Sequence, residues 1–244
     1  MARHTVLSTK KISSFHVDEA AKNDIDIMEQ AFIAVTPIIS EEKTKEILAV
    51  VLEAGQQFVA FTSANAVETV KQQLRQGATW LIPNWKVFCI SEKTKEALHP
   101  FINADNIVAT AAYGADLAQK IIENGVTEIV FFCGDKRRDE LPQILKEAGI
   151  NVREIIVYET VETPVVTTVK MDAILFFSPS AVQSFFTLNQ LKNDTVCFAI
   201  GDTTAAAIAD FTDNRIITSE ATSVEIMMTA VTQYFKQKDI SNKA

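Results

Sequence analysis

The chain has 244 residues, 48% of them hydrophobic and 22% charged, with a net charge of −8 at neutral pH. That balance supplies apolar mass for one large core or two ordinary ones and excludes a disordered chain. It also excludes a nucleic-acid binder, which needs a basic stripe, and it repels small anions at long range, so attraction for an anion has to be local.

The opening Met-Ala-Arg-His-Thr-Val-Leu lacks the apolar stretch of a secretion signal, and no apolar run approaches the roughly 20 residues that span a bilayer. A soluble cytoplasmic monomer with no membrane or nucleic-acid partner is expected. Cys89, Cys133 and Cys197 each sit inside an apolar run, apart from His4, His16 and His99. They read as buried strand residues, and no metal site is expected.

In chain order, a short strand is predicted at residues 6–7, then a hydroxyl-rich turn over 8–14 and a poorly marked helix within 13–23. Residues 31–39 follow as an extended apolar stretch broken by Thr36-Pro37. Helices are then predicted at 41–53, 64–75, 94–98, 115–124 and 139–148, alternating with strands at 58–61, 87–90, 107–108 and 128–133. Residues 155–166 repeat the extended pattern around Thr163-Pro164. Strands at 174–177, 196–200 and 216–217 alternate with helices at 181–188, 203–209 and 224–236. Gly55, Gly77, Gly125 and Gly149 follow helices as C-terminal glycines. Apolar runs without alternation mark strands covered on both faces, so the fold class is α/β, with parallel sheets flanked by helices.

The chain also repeats itself. Residues 61–70, Phe-Thr-Ser-Ala-Asn-Ala-Val-Glu-Thr-Val, return 115 residues later as Phe-Phe-Ser-Pro-Ser-Ala-Val-Gln-Ser-Phe. Residues 88–98 return 110 residues later, and Gly114-Ala-Asp-Leu is echoed by Ser223-Val-Glu-Ile. Two similar flavodoxin-like lobes are therefore expected, with a ligand cleft between them. Proline forces extended geometry on its predecessor, so the stretches near Pro37 and Pro164 read as two crossings forming a two-stranded linker. One lobe is then discontinuous, 1–36 plus 165–244, and the other, 40–160, is inserted into it.

Four strand-to-helix junctions carry the chemistry: Ser63-Ala-Asn65, Gly134 to Arg138, Ser178-Pro-Ser180 and Gly201-Asp-Thr203-Thr204. In a parallel sheet such junctions share the carboxyl edge, where helix N-termini offer free N–H groups to carboxylates or phosphates. The bland alternative for each serine is an N-cap worth about 1 kcal/mol. Arg138 has the alternative of a solvated helix face, and Tyr158 that of a buried structural tyrosine. Thr203-Thr204 stand where the first copy has Lys93-Thr94. Neither a Gly-x-Gly-x-x-Gly nor a Walker loop is present, and no Ser-His-Asp or Cys-His arrangement can be assembled from spacing. The turn over 8–14 is a weak match to the flavin-phosphate loop of a flavodoxin-like flavoprotein.

Phe61-Thr-Ser-Ala-Asn-Ala-Val, Gly134-Asp-x-x-Arg138-x-x-Leu141 with Gly149 and Val157-Tyr158-Glu-Thr, Phe177-Ser-Pro-Ser-Ala-Val, and Ala199-Ile-Gly-Asp-Thr-Thr-Ala-x-Ala-Ile occur in this order. The ordered set, covering most of residues 58–236, resembles the uroporphyrinogen-III synthase family. The resemblance implies two α/β lobes, one inserted in the other, and no metal or organic cofactor. It implies a substrate, hydroxymethylbilane, that is a linear tetrapyrrole carrying acetate and propionate arms. The enzyme removes its hydroxyl as water and closes the ring with the last pyrrole inverted, through a spiro intermediate. By resemblance Tyr158 is the proton donor to the leaving hydroxyl. Thr203, Thr204, Ser63, Ser178 and Ser180, with Asn65 and Arg138, would bind the substrate arms. The chain departs from the family pattern after its first strand, where Thr9-Lys10 replace the usual arginine. A non-catalytic two-lobed protein that binds a small anion is the competing reading.

Overall fold

A computed structural model describes residues 4–75, 82–99, 101–168 and 170–241. The first part of the chain forms β1 (His4–Ser8), α1 (Ser14–Ala21), β2 (Ile25–Glu29), β3 (Ile33–Pro37) and α2 (Glu41–Leu52). Next come β4 (Gln57–Phe61), α3 (Ala64–Arg75), β5 (Trp85–Ile90), α4 (Ser91–Leu98) and a 3-10 turn at Ala104–Asn106. These lead into β6 (Ile107–Ala111), α5 (Gly114–Glu123), β7 (Glu128–Gly134), α6 (Glu140–Glu147) and the long β8 (Asn151–Glu162). The chain closes with β9 (Ala173–Phe176), α7 (Pro179–Leu188), β10 (Val196–Ala199), α8 (Asp202–Ala209), β11 (Ile216–Thr218) and α9 (Val224–Ser241).

Met1–Ala34 with Val161–Ala244 form one compact unit and Val35–Thr160 the other. The first holds a five-stranded sheet of order β11-β10-β9-β1-β2, and the second sheet runs β3-β8-β7-β4-β5-β6. The ladders β1–β2, β1–β9, β9–β10, β10–β11, β4–β5, β4–β7, β5–β6 and β7–β8 are all parallel. β3 and β8 form the two-stranded linker. Ile38 N–H donates to the Val157 carbonyl and Thr163 N–H to that of Phe32, so residue numbers run in opposite directions and the pair is antiparallel.

Each sheet is covered on both faces, which explains the continuous apolar strands. In the inserted unit Val59, Phe61, Val130 and Phe132 pack under α2 and α3, while Ala60, Phe131 and Cys133 turn to α5 and α6. In the other unit Val6, Leu175 and Phe198 meet α9, while Leu7, Phe176 and Cys197 meet α7 and α8. The sequence repeat appears here as sheet order. β6-β5-β4 and β11-β10-β9 occupy matching places, and β7-β8 stand where β1-β2 stand. The first unit is therefore a circular permutation of the second. Each half keeps its own chain order in both units, and the three-strand half carries the repeat.

The structure corrects several expectations. β2 was not foreseen: Ile-Asp-Ile-Met-Glu alternates because it is an edge strand with one solvated face, and its charges masked the strand pattern. Helix α4 begins at Ser91, three residues before the predicted start, with Ser91 itself at φ 65°. Helix α9 runs on to Ser241, where Asp239 meets His4 at 3.0 Å. Gly55, Gly125 and Gly149 adopt positive φ as helix-ending glycines do. Gly77 and Trp80 lie outside the described residues, and Trp85 is core.

Candidate functional site

In an open parallel sheet, neighbouring strands whose connections leave in opposite directions open a crevice at their carboxyl ends. The inserted unit has this switch between β4 and β7, and the other unit between β9 and β1. Ser63 follows β4 and Gly134 ends β7. Tyr158 lies on β8, one strand further out.

The β7–β8 register slips between Cys133, paired with Ile156, and Gly134, paired with Tyr158. The slip places one extra residue on β8 and turns the Tyr158 ring across the end of β7. A Cβ built on Gly134 would stand 2.4 Å from Cε2 and Cζ of that ring and 2.8 Å from its hydroxyl oxygen. Ser63 acts on the hydroxyl as a hydrogen-bonding neighbour that lowers the phenol's pKa. The phenol is half-buried against the core under α2 and α3. Burial pushes its pKa above the ordinary tyrosine value, Cys133 and Asp135 push the same way, and the Ser63 bond opposes them. Tyr158 is therefore neutral at physiological pH.

Ser63 also caps α3: its Oγ accepts the Asn65 N–H at 3.1 Å, and its carbonyl accepts the Val67 N–H. The cap reading and the site reading hold together, because a hydroxyl that accepts from a backbone N–H still has its own proton to give. The Asn65 side chain is exposed. In the loop after β7, Arg137 bonds Glu154 at 2.5 Å and pairs with Asp139, whereas Arg138 is exposed and takes no ion pair among the described residues.

In the other unit Ser178 caps α7, accepting the Ala181 N–H at 3.2 Å. Ser180, one residue into the helix, is 9% exposed. The neighbouring β10 leads through Gly201 into α8, where Thr203 is exposed and Thr204 is only 2% exposed, its N–H bound to the Gly201 carbonyl. Thr94 is equally buried, so the copies differ on the surface at Lys93 and Thr203 rather than at the second threonine. At the end of β1, Thr9 donates through both its N–H and its hydroxyl to the Leu175 carbonyl, at 3.1 and 2.8 Å. Lys10 then carries its ammonium to 4.2 Å from the Phe177 ring centre, next to Ser178 in sequence.

Two of these features escaped sequence reasoning. The space above Gly134 was hidden, since glycine at a strand end reads as a turn. The Lys10 position was hidden because the permuted strand order was not visible. Among the described residues no group of His, Cys, Asp and Glu could hold a metal ion, and no helix is long and apolar enough to cross a membrane.

The family model for uroporphyrinogen-III synthase HemD matches residues 17–229. The chain belongs to the uroporphyrinogen-III synthase family. It is an enzyme family of tetrapyrrole synthesis, acting on a small-molecule substrate. Among solved structures, the chain is similar to the uroporphyrinogen-III synthetase of Helicobacter pylori, with a TM-score of 0.66 and 16% identity, covering 95% of this chain and 99% of that one. A mutant uroporphyrinogen III synthase from Thermus thermophilus gives 0.59 and 14%, covering 96% and 98%. At these identities the structural likenesses speak for the fold. No curated protein matches in sequence. The α/β fold of this chain is thus the fold of those two structures.

Proposed function

We propose that the chain cyclises hydroxymethylbilane to uroporphyrinogen III as a cofactor-free hydro-lyase, with Tyr158 as the acid. Tyr158 gives its proton to the departing hydroxyl, which leaves as water. The electrophilic azafulvene that remains is attacked by the last pyrrole through its substituted carbon. The spiro intermediate fragments and recloses with that ring inverted, and the closing carbon sheds a proton that restores the acid. Ser63, Asn65 and Arg138 in the inserted unit, and Ser178, Ser180, Thr203 and Thr204 in the other, are proposed to hold the carboxylate arms. The exposed Thr203 offers its hydroxyl outward, while the buried Thr204 acts through the packing of α8. Lys10 adds the local positive charge that an acidic protein needs to hold a polyanion.

The observation that carries this reading is the Tyr158 phenol. It is kept protonated by burial, paired with Ser63, and set at a switch point where ligands of parallel sheets bind. Most of the remaining rate is assigned to holding a flexible chain in one fold, a source that reaches about 7–11 kcal/mol in favourable cases. The test is incubation with hydroxymethylbilane and separation of the type I and type III products. Type III is expected, and type I alone, the spontaneous product, would sink the reading.

A further inference from the structure

We propose that Gly134 and Asp135 are positioning residues that hold Tyr158 in its donor pose, Gly134 by leaving the floor for the ring and Asp135 by locking the bulge that turns the ring onto it. The proposal rests on the reading of Tyr158 as the acid.

A glycine at a strand end is commonly explained by a backbone that only glycine tolerates. That explanation fails at Gly134, because the glycines with positive φ are Gly55, Gly125 and Gly149. What Gly134 supplies is space. The phenol starts on β8 and has to cross β7 to reach Ser63 at the end of β4. β7 lies directly in its path, and the ring passes at distances that no Cβ could share with it. Even alanine would force the rigid ring to lift, separating its hydroxyl from Ser63.

Asp135 acts on the other side of the same crossing. Its N–H donates to the Tyr158 carbonyl at 3.1 Å, and its carboxylate accepts the Thr160 N–H at 2.8 Å. The two bonds bracket Tyr158 along β8, immediately after the register slip. A β-bulge left without such partners is free to slide, and sliding by one residue would send the side chain of Tyr158 to the opposite face. Asp135 is exposed, so its side chain contributes through these bonds rather than through the core.

The experiment is a double-mutant cycle on the full chain, with kcat and KM measured from type III product. Gly134→Ala is expected to lower kcat about tenfold or more at a KM within about twofold. In a Tyr158→Phe background the same change should cost less than about twofold further, because the hydroxyl it displaces is already gone. Equal losses in both backgrounds overturn the proposal. Asp135→Ala should lower kcat about threefold, and Asp135→Asn, which keeps an acceptor for the Thr160 N–H, should restore it to within about twofold; equal losses from both remove Asp135 from the role. Should Tyr158→Phe itself keep near-normal turnover, the acid reading fails, and the positioning claim is then judged by melting. Gly134→Ala is expected to lower Tm when a ring stands at position 158 and to leave it unchanged with Tyr158→Ala; an equal fall in both overturns it.

Discussion

The two switch points of this protein are built on the same sheet order and equipped for different work. In the inserted unit the last rung of the β7–β8 ladder pairs Gly134 with Tyr158, and the ring lies across the glycine to Ser63. In the other unit the last rung of the β1–β2 ladder pairs Ser8 with Glu29. There the Glu29 carboxylate bends to accept the Ile12 N–H at 2.7 Å, and Thr9 closes the strand end by bonding the Leu175 carbonyl. The crevice that remains is faced by Lys10 on Phe177 and by Ser178. One switch point thus presents a neutral acid and the other a cation.

The division of labour can be broken experimentally. The largest effect is expected from Tyr158→Phe, which should lower kcat more than tenfold with the fold retained in circular dichroism; near-normal turnover would return Tyr158 to a packing role. Lys10→Met should instead raise KM by about fivefold with kcat little changed, measured by initial rates across substrate concentration. A loss confined to kcat would erase the contrast between the two crevices. The serines sharpen it further. Ser63→Ala and Ser178→Ala each remove a cap and should each cost about 1 kcal/mol in denaturant unfolding. Ser63→Ala alone should also depress kcat, since only Ser63 touches the phenol.

The smallest effects concern pH. The Tyr158 pKa is raised, so the donor form persists through neutrality, and kcat should fall only above the ordinary tyrosine value near pH ~10. Asp135→Asn removes one charge that raises it and should shift that alkaline limb to lower pH in a kcat–pH profile. Burial also lifts the thiols, Cys133 to about 11 and Cys197 to about 12. A raised folded value means full stability below the ordinary thiol range and loss as pH climbs through the folded values. Melting temperatures should therefore decline above pH ~9, and Cys197→Ala should flatten part of that decline.

Much of the fold was legible in the chain. Apolar runs located β4, β5, β7, β9 and β10 because strands covered on both faces cannot hide their composition. The Ser-Ala-Asn and Ser-Pro-Ser junctions marked helix starts through their capping chemistry, and Pro37 and Pro164 marked the extended linker. The ordered motifs led to the family. β2 stayed hidden, since an edge strand with charges on one face has no composition of its own.

The sequence by itself determined the α/β class, the duplication and the list of hydroxyl and phenol groups at strand ends, because each rests on local periodicity or local capping. Tertiary structure alone decided that one copy is permuted, that Thr204 turns inward while Thr203 faces out, and that Lys10 meets Phe177. It also decided that Gly134 is the floor of Tyr158. The reason is physical: a glycine's meaning depends on what fills the space it leaves, and here that is a ring 24 residues away, brought over it by strand pairing and a one-residue slip.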